Sequence, residues 1–291
     1  MAPKSFLFLL GFRILLVFVL VSLFSFAALD QPVFNNLYHA VLSIQRASVS
    51  YFDFLINIYK PADTLVLVGK SYFYSFILLG TAIGIGSIVG VILGLLGGLR
   101  PNSRLANLAS SFSFIGMLTP SFILALLGLF VFIRYISPFF GMRFVVLSPN
   151  AEIFELRRLL PPAIVLSVRP MAFMAQITIS ALQDVIHADY VRTAYAKGLL
   201  RRTVIMRHIL PNIAQPVLTA LSSSFVFTLS SLLVIELLFS WYGVGWRLVD
   251  AVENKDAQMT AYLLTVIGVT LVFINTGIGL AIRRFDTRVR E

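Results

Sequence analysis

Cysteine is absent from this 291-residue sequence, which removes disulfides, thiolate metal ligands and thiol nucleophiles from consideration. Charge is scarce as well: Asp, Glu, Lys and Arg make up 12% of the residues, against 58% hydrophobic, and the mean hydropathy is +0.91. A soluble domain of this length has too little interior to hide so much apolar surface, so lipid must be the solvent for most of the chain. Histidine occurs three times. His39 stands alone, and His187 and His208 share one loop at a spacing unlike that of a metal pair on one helix. Neither a metal nor a cofactor is expected, and no catalytic residue is assigned. Serines are frequent in the apolar runs, but no serine, histidine and carboxylate grouping accompanies them. A phosphate-binding loop is missing too: Gly69-Lys70-Ser71 ends like one, yet the earlier glycine it needs falls at Thr64. If ATP drives this protein, a partner hydrolyses it.

Six apolar runs are present, 11–29, 72–98, 107–133, 159–182, 216–239 and 259–282, each near or above the roughly 20 residues that a bilayer core requires. The fold class expected is an all-α polytopic membrane protein of about six transmembrane helices. The first run exceeds the roughly 7–15 residues of a signal-peptide core and reads as an uncleaved helix. A polar stretch over 30–70 sets it apart, so residues 1–70 form an N-terminal membrane helix plus an external segment, and 71–291 carry the other five spans. With the N-terminus inside, thirteen Lys and Arg fall in inside segments and nine outside. That bias places both termini in the cytoplasm of a multi-pass protein.

Small residues indicate how the spans pack. Gly86, Gly90 and Gly94 recur every four residues, a stripe that lets another helix backbone approach closely. Arg169 lies near the middle of the fourth run, where even the lenient insertion scale charges about 2.5–3.5 kcal/mol. It is expected either to line a wet pathway or to find a structural partner such as a carbonyl or carboxylate. Pro161, Pro162 and Pro170 are expected to bend the same helix. Glu236, close to the end of the fifth run, is expected to reach the membrane interface.

The loop 184–215, DVIHADYVRTAYAKGLLRRTVIMRHILPNIAQ, is the most informative stretch. Asp189 can cap a helix of about two turns on which Tyr190, Val191 and Ala194 repeat at helical spacing, and Gly198 supplies its stop. Thr203 can cap a second short helix, until Pro211 interrupts the backbone hydrogen bonding. Five basic residues suit a loop resting on anionic membrane lipid. The same small-residue helix flanked by charge also suits a knob that seats in a groove of a soluble partner. Nucleic acid is not expected as a partner, because no basic stripe interleaves with stacking aromatics.

In this loop Gly198 is followed thirteen residues later by Pro211, after Leu210. Together with Tyr190-Val191-Arg192-Thr193-Ala194 and Ala196-Lys197-Gly198, this resembles the signature of ABC importer permeases, in the branch that serves dipeptides, oligopeptides and nickel. Pro120-Ser121-Phe122, Glu236 with Phe239-Ser240-Trp241, Gly243-Val244-Gly245 and the tail 286–290 are similar to landmarks of that family in the same order. The chain departs from it at Tyr195, where the branch usually has arginine, and at Asp30-Gln31-Pro32. The resemblance implies a permease subunit in a bacterial cytoplasmic membrane, with 71–291 as its five-helix transmembrane domain. It further implies a second homologous permease, two ATP-binding subunits and an extracytoplasmic solute-binding protein as partners. Tyr190, Val191, Ala194, Ala196, Lys197 and Gly198 would then couple to the ATPase, Pro211 would join the loop to the fifth span, and Arg169 would be a candidate for the translocation path. The alternative is a secondary transporter driven by an ion gradient. That would favour several ionisable residues at mid-membrane and paired broken helices, whereas Arg169 is the only such residue visible here.

Overall fold

In a computed structural model, residues 62–99, 103–139 and 156–285 are described, together with Gly11. The first expected span, 11–29, and the segment 30–61 lie outside the described residues. All regular structure among the described residues is helical.

Helix α1, Ala62–Gly98, covers the expected span 72–98. It begins ten residues before that span, because nothing in the 37 residues after Pro61 forces a break. Gly69-Lys70-Ser71 is therefore helix interior and not a loop. The third expected span, 107–133, is bent. It forms α2, Arg104–Leu118, and α3, Ser121–Val131, and the apolar halves on either side of the break meet at a bend of 113°. Pro120 explains the break: it lacks an N–H and drives the preceding residue out of the helical region. Thr119 is extended, at φ −74° and ψ 126°.

Helix α4, Leu156–Ile186, continues without interruption through Pro161, Pro162 and Pro170. Short helix α5 spans Asp189–Ala196. The next helix, α6, runs over Arg201–Leu238 and contains a π-helical turn at Ile205–Ile209. The second short helix and the fifth span are thus one continuous helix, and Pro211 does not end it. Pro211 lies two residues past the widened turn, and the helix continues through it to Leu238. Helices α7, Val244–Glu253, and α8, Ala257–Phe285, complete the described chain. Val66–Gly98, Arg158–Ile186 and Arg201–Leu238 are each long and apolar enough to cross a membrane, and the bent pair α2–α3 adds a fourth if it is one span.

The chain divides into two compact units, Met1–Ser75 with Tyr242–Gly279, and Phe76–Trp241 with Leu280–Glu291. In the first, Val68, Val244, Ala251 and Leu263 form an apolar cluster. Hydroxyls of α1 tie α7 to it. Ser75 Oγ accepts the Val244 N–H at 2.7 Å, serving as the cap that α7 lacks in its own sequence, and Ser71 Oγ accepts from Arg247 Nε at 2.9 Å.

In the second unit α4 is the central strut, and the glycine stripe of α1 packs on it as expected. A Cβ at Gly86 would lie 2.9 Å from the Ser167 carbonyl oxygen and from Pro170 Cγ. At Gly90 it would lie 2.5 Å from the Met171 carbonyl oxygen and 2.8 Å from Met174 Cβ, and at Gly98 2.9 Å from Leu182 Cβ. Gly116 of α2 and Gly128 of α3 make equally tight approaches to Ala172 and Val165. Helix α4 thus receives glycines from three neighbours.

Gly90→Val drives a side chain into the Met171 backbone of α4 at the α1–α4 crossing, and overpacking of this kind costs about 1–3 kcal/mol. The detergent-solubilised variant should unfold at a lower temperature than wild type, whereas Gly80→Ala, with open space around its new methyl, should not.

Candidate functional site

Helix α5 begins at Asp189, but the aspartate does not cap it. The cap is Ala188, extended at φ −69° and ψ 144°, with no side-chain hydrogen bond. Its carbonyl accepts the Val191 N–H at 3.0 Å and the Arg192 N–H at 3.3 Å. Asp189 therefore stands at the first helical position, where its charge still complements the positive end of the helix. Thr203 likewise fails as a cap, since α6 starts two residues earlier and is preceded by Leu200 in extended conformation.

The glycine stop is as expected. Gly198 adopts φ +77°, a conformation that glycine takes with little penalty. Its N–H bonds to the Tyr195 carbonyl at 2.9 Å, and the Leu199 N–H bonds to the Ala194 carbonyl at 3.3 Å. These two bonds make a Schellman motif, which satisfies carbonyls that the helix end would otherwise leave open. Arg201 Nη2 then donates to the Leu99 carbonyl at 3.2 Å, fixing the start of α6 to the end of α1.

One face of α5 belongs to the chain's own interior. Val191 and Ala194 are buried with Leu182 of α4 and Val204, Ile209 and Ile213 of α6. Around them pack Leu95, Leu99, Val185, Ile186 and Leu210, so the loop is a small core and not a loose tether. The other face is open. Tyr190 and Tyr195 are 44% and 45% exposed, and Leu200 is 77% exposed. Arg192, Ala196, Lys197, Gly198, Arg201 and Arg202 are exposed beside them, while Pro211 is exposed farther along α6. Of the predicted loop residues, the structure brings Tyr190, Ala196, Lys197 and Gly198 to one outer surface. It places Val191 and Ala194 beneath that surface. A Cβ at Gly198 would meet nothing within 4 Å.

Arg169 is half-buried on α4, and its guanidinium carbon lies 5.5 Å from the centre of the Phe227 ring of α6. Phe173, one turn along α4, meets the same ring edge-to-face at 5.2 Å. The arginine thus rests on an aromatic face, a contact worth about 0.5–2 kcal/mol, and no carbonyl or carboxylate among the described residues pairs with it. Glu236 also departs from expectation. It is fully buried, with its carbonyl accepting the Trp241 N–H at 2.8 Å as the chain folds back after α6. Because Phe239 and Trp241 are buried there, that end of the helix is covered by the chain itself. Sequence reasoning missed the π-helical turn before Pro211, for which the proline itself was the available signal. Among the described residues no cluster of three or more potential metal ligands occurs.

Residues 86–291 match the family described as binding-protein-dependent transport system inner membrane component. The chain is 32% identical over 269 residues to a protein of Brucella suis named as a peptide permease, spanning 91% of this chain and 78% of that one. It is also 32% identical over 247 residues to the dipeptide transport system permease protein of Bacillus subtilis, spanning 84% and 76%. In fold it is similar to a chain of the inward-facing methionine ABC transporter, at a TM-score of 0.60 and 16% identity, covering 78% of this chain and 99% of that one.

Gly198→Ala should destabilise the loop by about 1 kcal/mol, because alanine resists the left-handed conformation, while Gly198→Asn should cost less. Hydrogen exchange of the amides over 189–204 reads the difference directly.

Proposed function

This chain belongs to the family of binding-protein-dependent transport system inner membrane components, and from that premise we propose how an ABC importer permease is here coupled to its motor and supplied with solute. The subunit is a multi-pass protein of the inner membrane and a transport component, with ATP hydrolysed on partner subunits. Its solute is a peptide or a similar small molecule, a reading supported by the names of the relatives in Brucella suis and Bacillus subtilis.

The observation that carries the coupling reading is the division of α5 into two faces. Val191 and Ala194 anchor the helix to α4 and α6, so that a force on α5 is passed to both spans. Tyr190, Ala196, Lys197 and Gly198 face outward and seat in a cleft of an ATP-binding subunit. The exposed Tyr190, Tyr195, Arg192, Arg201 and Arg202 are of residue types enriched at protein interfaces. Pro211 and the π-helical turn join this docking element to the long α6 span. Gly198 keeps the turn short and bare, and its open surroundings leave room for the partner.

The assembly comprises this chain, a second homologous permease, two ATP-binding subunits and an extracytoplasmic solute-binding protein. Both termini face the cytoplasm, on the side of the loop 184–215, as the bias of basic residues favours. The solute path runs between the two permeases, and Arg169 lines it. The boundary expected at residue 70 falls inside helix α1, so the transmembrane domain proper takes in the whole of that helix from Ala62.

Purification of the complex from its native membrane should recover ATP-binding subunits with this chain. Gly198→Asp should lose them, or abolish uptake, with the amount of protein in the membrane unchanged. Aspartate is among the residues that tolerate a left-handed conformation and meets no obstacle within the chain, so a loss reports the partner. Uptake that persists after deletion of the ATPase genes would sink the coupling reading, and retained recovery and uptake in the variant would move the loop to the lipid surface.

A further inference from the structure

The exposed surfaces of the second unit differ in kind from helix to helix. On α1 the exposed side chains include Ile88, Ile92 and Leu96, on α2 Phe114 and Ile115, and on α3 Leu127. Such surfaces suit lipid. Helix α6 presents a different strip: Asn212, Gln215, Thr219, Ser223 and Ser230 are all exposed at three-, four- and seven-residue steps, with Val226 the one apolar member between the last two. On α4 Arg169, Gln176, Ser180 and Gln183 follow each other at steps of seven, four and three, half-buried at first and exposed toward the end of the helix. The contact of Arg169 and Phe173 with Phe227 places the two strips side by side, since Phe227 lies between Ser223 and Ser230 on α6.

All three hydroxyls on the α6 strip have already spent their donor. Thr219 donates to the Gln215 carbonyl at 3.1 Å, Ser223 to Thr219 at 3.4 Å and Ser230 to Val226 at 3.1 Å. What they offer outward is oxygen lone pairs, which accept N–H groups and water. Arg169 offers the opposite. Its guanidinium makes no hydrogen bond or ion pair with any described residue, and Phe227 covers one face of the fork. A cation at this depth is costly, and residues of this kind face bundle interiors or wet pathways and mark what passes through them. Arginine, planar and with five donors, matches a carboxylate two bonds at a time.

We infer that Arg169 is the recognition point for a carboxylate of the transported solute, set at the head of a strip of hydroxyl and amide side chains that α4 and α6 present to an aqueous path. The inference rests on the importer reading above and deepens it. It specifies a solute with one free carboxylate and several N–H groups, complementary to one cation and a row of hydroxyl acceptors and amide side chains.

The test uses the complete assembly, with its own binding protein, in proteoliposomes, and compares ATP-dependent uptake of dialanine with that of dialanine amide. Both probes carry an ammonium group and a peptide N–H, and only the first carries a carboxylate. Wild type should favour dialanine, and Arg169→Met should reduce that preference by about tenfold, the scale of one hydrogen-bonded charge pair. Arg169→Lys should keep part of it through charge without the fork. The binding protein is the same in every assembly, so its own preference cancels in the ratio. A preference unchanged in Arg169→Met, or absent from wild type, overturns the inference. So does an equal loss of both probes, which would mean that Arg169 pairs with a carboxylate of the second permease. A wild-type assembly that imports neither probe under ATP overturns instead the importer reading for peptides.

Discussion

Backbone-to-backbone contact between α1 and α4 is the constraint on which the second unit depends. In lipid there is no hydrophobic force to press helices together, so association relies on close packing and on hydrogen bonds between them. Gly86, Gly90, Gly94 and Gly98 remove the side chains that would hold α1 away from α4 over three turns. Pro170 uses the space so made. Its ring fills the site of a Cβ on Gly86, and the residue is almost fully buried. A proline inside a helix commonly bends it because one hydrogen bond is lost and the ring crowds the preceding turn. Here the ring has been accommodated by the neighbour, and α4 continues to Ile186.

That strut fixes two features that the proposed mechanism uses. Its middle holds Arg169 against Phe227 of α6, and its end supplies Leu182, Val185 and Ile186 to the core beneath α5. A displacement of α5 would therefore be delivered to α4 and α6 together, through buried Val191, Ala194, Val204 and Ile209. Packed interiors shift as discrete rearrangements and not as soft deformations. The π-helical turn at Ile205–Ile209 adds a place where such a rearrangement is cheap, because one extra residue is already accommodated in the helix.

Much of this was legible in the sequence, for reasons that can be stated residue by residue. The glycine stripe was readable because a four-residue period has one packing meaning in a membrane span. Gly198 was readable because a left-handed helix stop strongly favours glycine, and the structure gives it φ +77°. The caps at Asp189 and Thr203 were misplaced, since any extended residue before a helix can close the first turn with its backbone alone, as Ala188 and Leu200 do. The same limit applies to helix ends: Ser240 and Lys255 take φ 49° and 54° without being glycine. Their Schellman bonds, from Trp241 to Glu236 and from Asp256 to Ala251, at 2.8 Å each, offset a strain that sequence preference would have steered away from. Glu236 was read as interfacial from its place in an apolar run. Its burial depends on how residues 239–241 fold back, and that is a tertiary fact.

Proline illustrates most sharply where sequence reasoning stops. Pro120 and Pro170 both fall inside apolar runs of membrane-spanning length, and both lack the same N–H. At Pro120 the chain breaks, Thr119 becomes extended, and α2 and α3 part at 113°. At Pro170 it does not. The sequence around Pro120 offers Thr119, whose hydroxyl donates to the Ile115 carbonyl at 2.7 Å and so helps close α2 before the break. Around Pro170 the arginine before it is held by Phe227, and the glycine opposite makes room for the ring. Local residues thus permit a break at either proline, and contacts from distant helices decide which one occurs. The period of an apolar run counts the residues available to cross the bilayer. Whether those residues cross it straight is set by neighbours that the period does not name.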